Sequence, residues 1–463
     1  MSHSTSPPDQ REAAVDAAAL ALDGLVHGTV LTPRRDGYEQ ACVGYNPEVV
    51  WEPEILVRCS DADDVVHAVR AAAELGLGVA VRSGGTGTFG APEGSLLIDL
   101  SRLTSVEVID GGRAVRAEPG AIWRDVDRET AKHGVAAPGA QTPWVGVAGF
   151  VLGGGFSWVA RQYGWASDNL LEVELVTAEG ELLTVSAESQ PELFWGICGS
   201  GWNFGVVTSL TLLAHPRGEV LSSQVAWPIG DLAGVLRFYD GWTDGVADSV
   251  GSHLGIMKMP AGALGDEPVE MVLIECAAED TPENRASIAE LERFGSPFMA
   301  ESKTTDFIEV QDRPGSLLVP GIHHRFSMVY VDALDDDFVS AISDAVERMQ
   351  EMTFLALTHY RGAISSIPEN ETAMNHRNAK FNFMYSVRWM PGEDGSVALA
   401  WAEELLAGRA AGGRDRAYVN YLFDEPERVR SAYSGATLER LAALKSRWDP
   451  GNRFRHNQNV APG

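Results

Sequence analysis

Cysteine is scarce in this sequence: four among 463 residues, Cys42, Cys59, Cys198 and Cys276, with no CxxC pair. That spacing excludes a disulfide framework and a cysteine zinc site. Bases are scarce too, 36 against 65 acids, giving a net charge of -29. Nucleic acids and anionic membrane surfaces are held by clustered lysine and arginine, so neither is expected as a partner. No apolar run reaches the length of a membrane span. The start, MSHSTSPPDQ, has neither the basic residues nor the apolar stretch of a leader. The expectation is a soluble cytoplasmic protein, monomer or homodimer. The P-loop pattern GxxxxGK[ST] occurs nowhere. No carboxylate–histidine cluster has metal spacing, and no metal is expected.

What is present is ordinary globular material, 45% hydrophobic and 22% charged, enough to bury a large core. Up to residue 215, helical and strand patterns alternate. SDADDVVHAVRAAAELGLG starts with Ser60 as candidate N-cap, carries Val65, Val66, Val69, Ala72 and Ala73 on one stripe, and stops at Gly76 and Gly78. Strands are expected at 95–101 and 105–109, a helix at 122–133, and a hairpin over 170–185. From about 216, alternating strands such as 323–334 and 381–390 are separated by helical runs such as 335–352, the pattern of an antiparallel sheet with helices on one face. Residues 436–449 read as a last helix.

RSGGTGTFG (82–90) contains the six-residue glycine pattern of dinucleotide-binding folds. That pattern works only when a helix follows, since the diphosphate sits on the helix N-terminus. Here APEGSLLIDL follows, and Pro92 and Gly94 leave no room for one. A nicotinamide site is therefore rejected. A glycine-dense strand–loop–strand turn remains, which either cradles an anion with backbone N–H groups or is a plain surface loop. Two further clusters, VGVAGFVLGGGFSWVARQYGWASDN (145–169) and GSGWNFGVVTSL (199–210), favour the first reading. Three small-residue loops suit close backbone approaches to one extended ligand.

At these residues, with FGVVTSLTLLAHP, YVNY (418–421) and WDPGNRFRHNQNV (448–460), the chain resembles the berberine bridge enzyme-like flavoproteins, which carry a PCMH-type FAD-binding domain of the vanillyl-alcohol oxidase superfamily. The resemblance implies an α+β fold: two subdomains holding extended FAD (1–215), a substrate domain with an antiparallel sheet covered by helices (216–415), and a C-terminal segment returning to the flavin (416–463). It implies that Arg82, Ser83, Gly84, Gly85, Thr86 and Gly87 wrap the diphosphate. Thr142, Pro143, Trp144, Val145, Gly146, Gly149, Gly153 and Gly154 would line the flavin and diphosphate. Val206 and Val207 would lie by the adenine, and Asn457 and Asn459 by the ring. The implied function is an FAD-dependent oxidase or dehydrogenase acting on a small organic, specialised-metabolite substrate. A redox-neutral cyclase or flavin-binding scaffold is the alternative.

The sequence departs from the family at both usual attachment points. Members that bond the flavin carry RSGGH in the first loop, where this chain has Thr86. A second group adds a cysteine where this chain has Thr142. FAD is therefore expected to be held without a covalent bond. Trp144 and Trp202 either pack on its ring or are core tryptophans. Val145 matches a position where a small residue leaves a path for molecular oxygen, a candidate electron acceptor.

Flavin oxidation is hydride delivery, commonly helped by a base. In members with the YVNY motif the second tyrosine often serves, here Tyr421, with Tyr418 as substrate or flavin contact. In a regular strand, 418 and 421 face opposite sides, so both reach one pocket only if a bulge or strand end intervenes. In HYRGAI (359–364), His359 and Arg361 are expected on one strand face, where either tunes a phenolate. His376 and Arg377 read as structural, and His323 and His324 point to opposite faces.

Overall fold

A computed structural model describes residues 8–262, 266–313, 320–407, 415–423 and 425–463; the polar start, 1–7, lies outside the described residues. The first sheet comprises Thr29–Leu31 (β1), Ile55–Arg58 (β2), Gly78–Arg82 (β3) and Ser95–Asp99 (β4), in the order β1-β2-β4-β3. β3 and β4 run parallel, and residues 83–94 between them, all described, contain no helix. The expected strand–loop–strand turn is what forms. Helix Ala62–Leu75 buries Val65, Ala68, Val69 and Ala72 against this sheet. Its N-cap is Asp61 and not Ser60, because the Asp61 carboxylate accepts the Asp64 N–H at 2.9 Å. Gly76 closes the helix at φ 67°.

The second sheet contains Val106–Ile109 (β5), Ala114–Ala117 (β6), Leu170–Val176 (β8), Leu182–Ser186 (β9) and Val206–Leu213 (β10), ordered β5-β6-β10-β8-β9. β8 and β9 form the expected hairpin, while Val135–Ala136 (β7) pairs separately with His215–Pro216 (β11). The third sheet has seven antiparallel strands. They are Glu219–Pro228 (β12), Val250–Met259 (β13), Val269–Ala278 (β14), Met299–Asp306 (β15), His323–Val331 (β16), Phe354–His359 (β17) and Phe381–Trp389 (β18), in the order β15-β12-β14-β13-β17-β18-β16. Alternation places Leu254, Ile256, Ile274, Leu355 and Leu357 on one face. There they form a core with helices Leu232–Thr243, Asp336–Glu347 and Ser396–Ala407. The opposite face meets the first half of the chain: a Cβ on Gly251 would lie 2.0 Å from the Trp158 carbonyl oxygen.

Buried charges join the parts. Arg377, fully buried, donates to both Asp168 oxygens at 2.6 and 2.9 Å. Arg161 donates to the Tyr360 carbonyl at 2.9 Å and to Asp248 at 3.1 Å. Helix Gly435–Trp448 presents Lys445, whose Nζ donates to the Asn203 and Phe454 carbonyls and to Asp449, each at 2.8 Å. Beyond it, the Arg453 carbonyl accepts the Val79 N–H at 2.9 Å, so the tail lies along β3. Among the described residues, no helix is long and apolar enough to cross a membrane.

Two outcomes follow for stability. Removing one member of a buried ion pair strands the other, so Asp168→Ala lowers stability by about 3–5 kcal/mol, read by chemical denaturation. Asp127 is buried on helix Trp123–Ala131 and accepts from the Gln311 side-chain amide at 3.3 Å. Burial pushes its carboxyl up to about 8. The folded chain therefore holds a proton that the unfolded chain releases, and stability declines as pH climbs from 3.8 towards about 8. Asp127→Asn removes this decline, so its thermal midpoint gains on that of wild type between pH 5 and pH 8; parallel midpoint curves would disprove it.

Candidate active site

The first two glycine loops touch backbone to backbone. A Cβ on Gly84 would sit 2.4 Å from the Gly146 Cα, and one on Gly146 would sit 2.5 Å from the Gly84 nitrogen. No other residue type fits either place. Gly85 adopts φ 72°, and Ser83 Oγ accepts the Gly84 N–H at 2.6 Å. The Arg82 side chain is turned inward, donating to buried Asp99 at 2.8 Å and the Ala41 carbonyl at 2.7 Å. Burial raises the Asp99 carboxyl, and the adjacent guanidinium reverses this and leaves it below the usual range. Arg82 thus contributes backbone, not a charge, to the loop. Thr86 is half-buried and Gly87 exposed.

The second loop is pinned to the helix beside it, where the Pro143 and Val145 carbonyls accept N–H groups of Arg124 and Trp123 at 3.0 Å. Thr142 and Val145 are half-buried. Trp144 is 37% exposed, under the Arg124 guanidinium at 3.4 Å, so the core-tryptophan alternative does not describe it. Gly149 is exposed on helix Val147–Leu152. At Gly153 a Cβ would meet Asn420 at 2.0 Å and Trp202 at 2.3 Å, and Gly154 has φ 108°. Val206 packs into the core of the first sheet and Val207 into that around the second, placing the start of β10 on their seam. From the tail, Asn457 donates to the Trp202 carbonyl at 3.0 Å.

YVNY does not continue a strand. Val419–Tyr421 is one tight helical turn, which resolves the facing problem: the Tyr418 and Tyr421 rings meet edge to face at 5.2 Å. The Tyr418 oxygen accepts the Gly155 N–H at 2.7 Å and the Asn420 amide at 2.9 Å. Its ring is 2% exposed, and burial drives its pKa far up. Burial also pushes half-buried Tyr421 up to about 12. Thr88 Oγ1 donates to the Leu422 carbonyl at 2.8 Å, and Gln458 donates to the Val419 carbonyl at 3.2 Å. The first loop, the glycine run and the tail therefore all converge on this turn.

His359 and Arg361 are not brought to it together. β17 ends at His359, and Arg361 has a left-handed backbone at φ 69° with an exposed side chain, so they share no strand face. His359 lies on the Leu355–Leu357 side, bonded to the Arg161 guanidinium at 2.6 Å. Burial, then Arg161, lowers it to about 2, so it stays neutral. His376 bonds the Ser431 carbonyl at 2.9 Å, and Arg377 holds Asp168, both structural as read. His323 bonds Glu48 at 2.6 Å, while His324 is buried and lowered to about 4 by that burial.

Sequence reasoning missed Asn420, Gly155 and Tyr360. Asn420 stood inside YVNY, and its reach to Tyr418 needs the turn. Tyr360 stacks on Phe156 at 4.7 Å and accepts from Asn382 at 2.9 Å.

FAD can be tested against this arrangement. Trp202 Nε1, Asn457 Oδ1, Asn459 Oδ1 and His456 Nε2 are buried with no hydrogen-bond partner among the described residues. Such atoms cost about 1–3 kcal/mol each unless a ligand or water pairs them. Together with the side-chain-free contact of Gly84 and Gly146, they fit an extended polar ligand approached by backbone.

Comparison with known proteins agrees. Residues 53–186 match the FAD binding domain family, and 417–461 match the family described as berberine and berberine like. The (R)-6-hydroxynicotine oxidase of Paenarthrobacter nicotinovorans is 28% identical over 96% of this chain and 99% of its own length. The aclacinomycin-N/aclacinomycin-A oxidase of Streptomyces galilaeus is 26% identical over 98% of this chain and 94% of its own. The crystal structure of 6-hydroxy-D-nicotine oxidase from Arthrobacter nicotinovorans superposes with a TM-score of 0.84 at 26% identity, covering 95% of this chain and 98% of that one. These relatives oppose the redox-neutral alternative. The chain is an FAD-dependent oxidoreductase, and its two matched domains are those of berberine bridge enzyme-like proteins.

Proposed function

We propose that this protein oxidises an alcohol or amine carbon of a small, specialised-metabolite-type substrate, with FAD held non-covalently and Tyr421 as the base. The observation that carries the reading is the Val419–Tyr421 turn, which sets two phenols against the glycine run. Residues 1–215 and 416–463 form the flavin-holding part of this reading and 216–415 the substrate part. The two named relatives are, by name, oxidases of 6-hydroxynicotine and of aclacinomycins, both small organic molecules. The cysteines are free, in keeping with a reducing cytoplasm.

Bound FAD supplies a hydride acceptor. The chain supplies the proton chemistry and the placement. Tyr418 is buried and its oxygen already accepts two N–H groups, so it anchors the turn. Tyr421, half-buried, is left to meet the substrate and take a hydroxyl or ammonium proton. Its raised pKa falls when a cation or donor in the complex faces the oxygen. Thr86 and Thr142 carry hydroxyls where attachment would need an imidazole or thiol, so burial and hydrogen bonds hold the cofactor.

Acid precipitation of the yellow holoprotein is expected to release the flavin into the supernatant; flavin retained in the pellet would refute non-covalent binding. Tyr421→Phe is expected to slow anaerobic flavin reduction by about 100-fold or more, and an unchanged rate removes Tyr421 from the role. Because the base acts deprotonated, wild-type reduction accelerates with rising pH, and stopped-flow profiles of Tyr421→Phe lose that limb.

A further inference from the structure

Every second backbone N–H and C=O along an edge strand points away from its sheet, and such a row binds another strand unless something covers it. Most edges in this fold are short or taken. β1 has three residues, β5 four and β9 five, and β3 carries the tail through its Val79 N–H. Along β16 the outward carbonyls of His324, Met328 and Tyr330 accept from Asn46, Arg428 and Arg416. β15 differs. All eight of its residues pair with β12 without a register shift, and no proline interrupts them. Ala300 to Thr304 are exposed, and among the described residues no loop backbone bonds to them. Phe298, just before the strand, is 56% exposed.

Lysine on an edge ordinarily guards it, because two copies meeting there set like charges together. The pattern of β15 does the opposite in one register. Glu301 and Lys303 lie on one face with Ser302 between them. A two-fold axis at Ser302 sets each Glu301 against the partner's Lys303, twice over. An axis at Glu301 would set glutamate against glutamate, and one at Lys303 lysine against lysine, both repulsive. Neither side chain is held firmly elsewhere. Glu301 has no ion-pair partner among the described residues. Lys303 meets Glu309 in a pair whose members are both about half exposed, and such pairs are weak.

We propose that two copies of this chain associate through β15, antiparallel about a two-fold axis at Ser302, so that their seven-stranded sheets become one. The fitting partner is a second copy and not a foreign strand, because the charge pattern complements itself. β16, where the tyrosine turn attaches, is six strand intervals of about 4.8 Å from β15, roughly 29 Å away. The junction therefore leaves each tyrosine turn untouched. At a net charge of -29 per chain the copies repel at long range, but physiological salt screens that repulsion beyond about 8 Å. One strand junction is small beside a standard interface, so the dimer is a weak one, with micromolar dissociation.

Sedimentation velocity of the FAD-loaded protein across the micromolar range tests this. Wild type is expected to pass from one chain to two as concentration rises; a single-chain mass throughout overturns the proposal without any variant. Lys303→Glu and Glu301→Lys each set like charges together twice, and each is expected to weaken the dimer at least about tenfold. The double variant Glu301→Lys/Lys303→Glu rebuilds both pairs and is expected to dimerise within about twofold of wild type. A dimer indifferent to both single substitutions, or not restored in the double variant, overturns the register. Ser302→Cys is expected to give a reducible crosslinked dimer on oxidation, since directly opposed Cα atoms about 4.5–5.5 Å apart suit a disulfide. No crosslink beyond that of wild type overturns the axis at Ser302. Flavin content at the wild-type level shows that each variant is folded.

Discussion

A single hydrogen bond, from the Gly155 N–H to the Tyr418 oxygen, ties the chemistry to the scaffold. It joins the glycine run after helix Val147–Leu152 to a turn 263 residues later in sequence. The bond forms only because Gly155, at φ 83°, leaves the space a side chain would take against Phe150 and Ala166. With Tyr418 fixed, Asn420 locks against the Phe150 carbonyl and Tyr421 turns towards Phe326 of the sheet. The position of Tyr421, the proposed base, therefore derives from a backbone conformation in another part of the fold.

The charges follow the same logic. A diphosphate is usually met by lysine or arginine, yet the one arginine of the first loop faces inward to Asp99. Backbone N–H groups can meet an anion without adding a fixed positive charge, which accords with a chain of net charge -29. Buried cations act instead as joints between the lobes. Arg377, Arg161 and Lys445 each end on carbonyls or a carboxylate of a distant segment.

Much of this was legible in the sequence wherever one residue type has one conformational use. Pro92 and Gly94 exclude a helix, so the strand–loop–strand turn is legible from the residues alone. The periodicity of 60–76 and the hairpin at 170–185 follow from local pattern alone. Long-range geometry was not legible. Nothing local shows that YVNY folds as a turn, since its alternation suits a strand equally well. The separation of His359 from Arg361 depends on where β17 stops and on a left-handed residue that is not glycine. The pairing of His253 on β13 with Thr358 on β17, 105 residues later, is set by strand register, and single-sequence periodicity carries no register.

The Arg161 anchor restricts how the molecule can move. Its guanidinium sits in a socket made by the Tyr360, Val246 and Ala247 carbonyls and Asp248. Swinging the two halves apart would withdraw a cation from that socket with no replacement ligands. Clamshell breathing is thus the costly mode, and the halves stay latched through this one side chain.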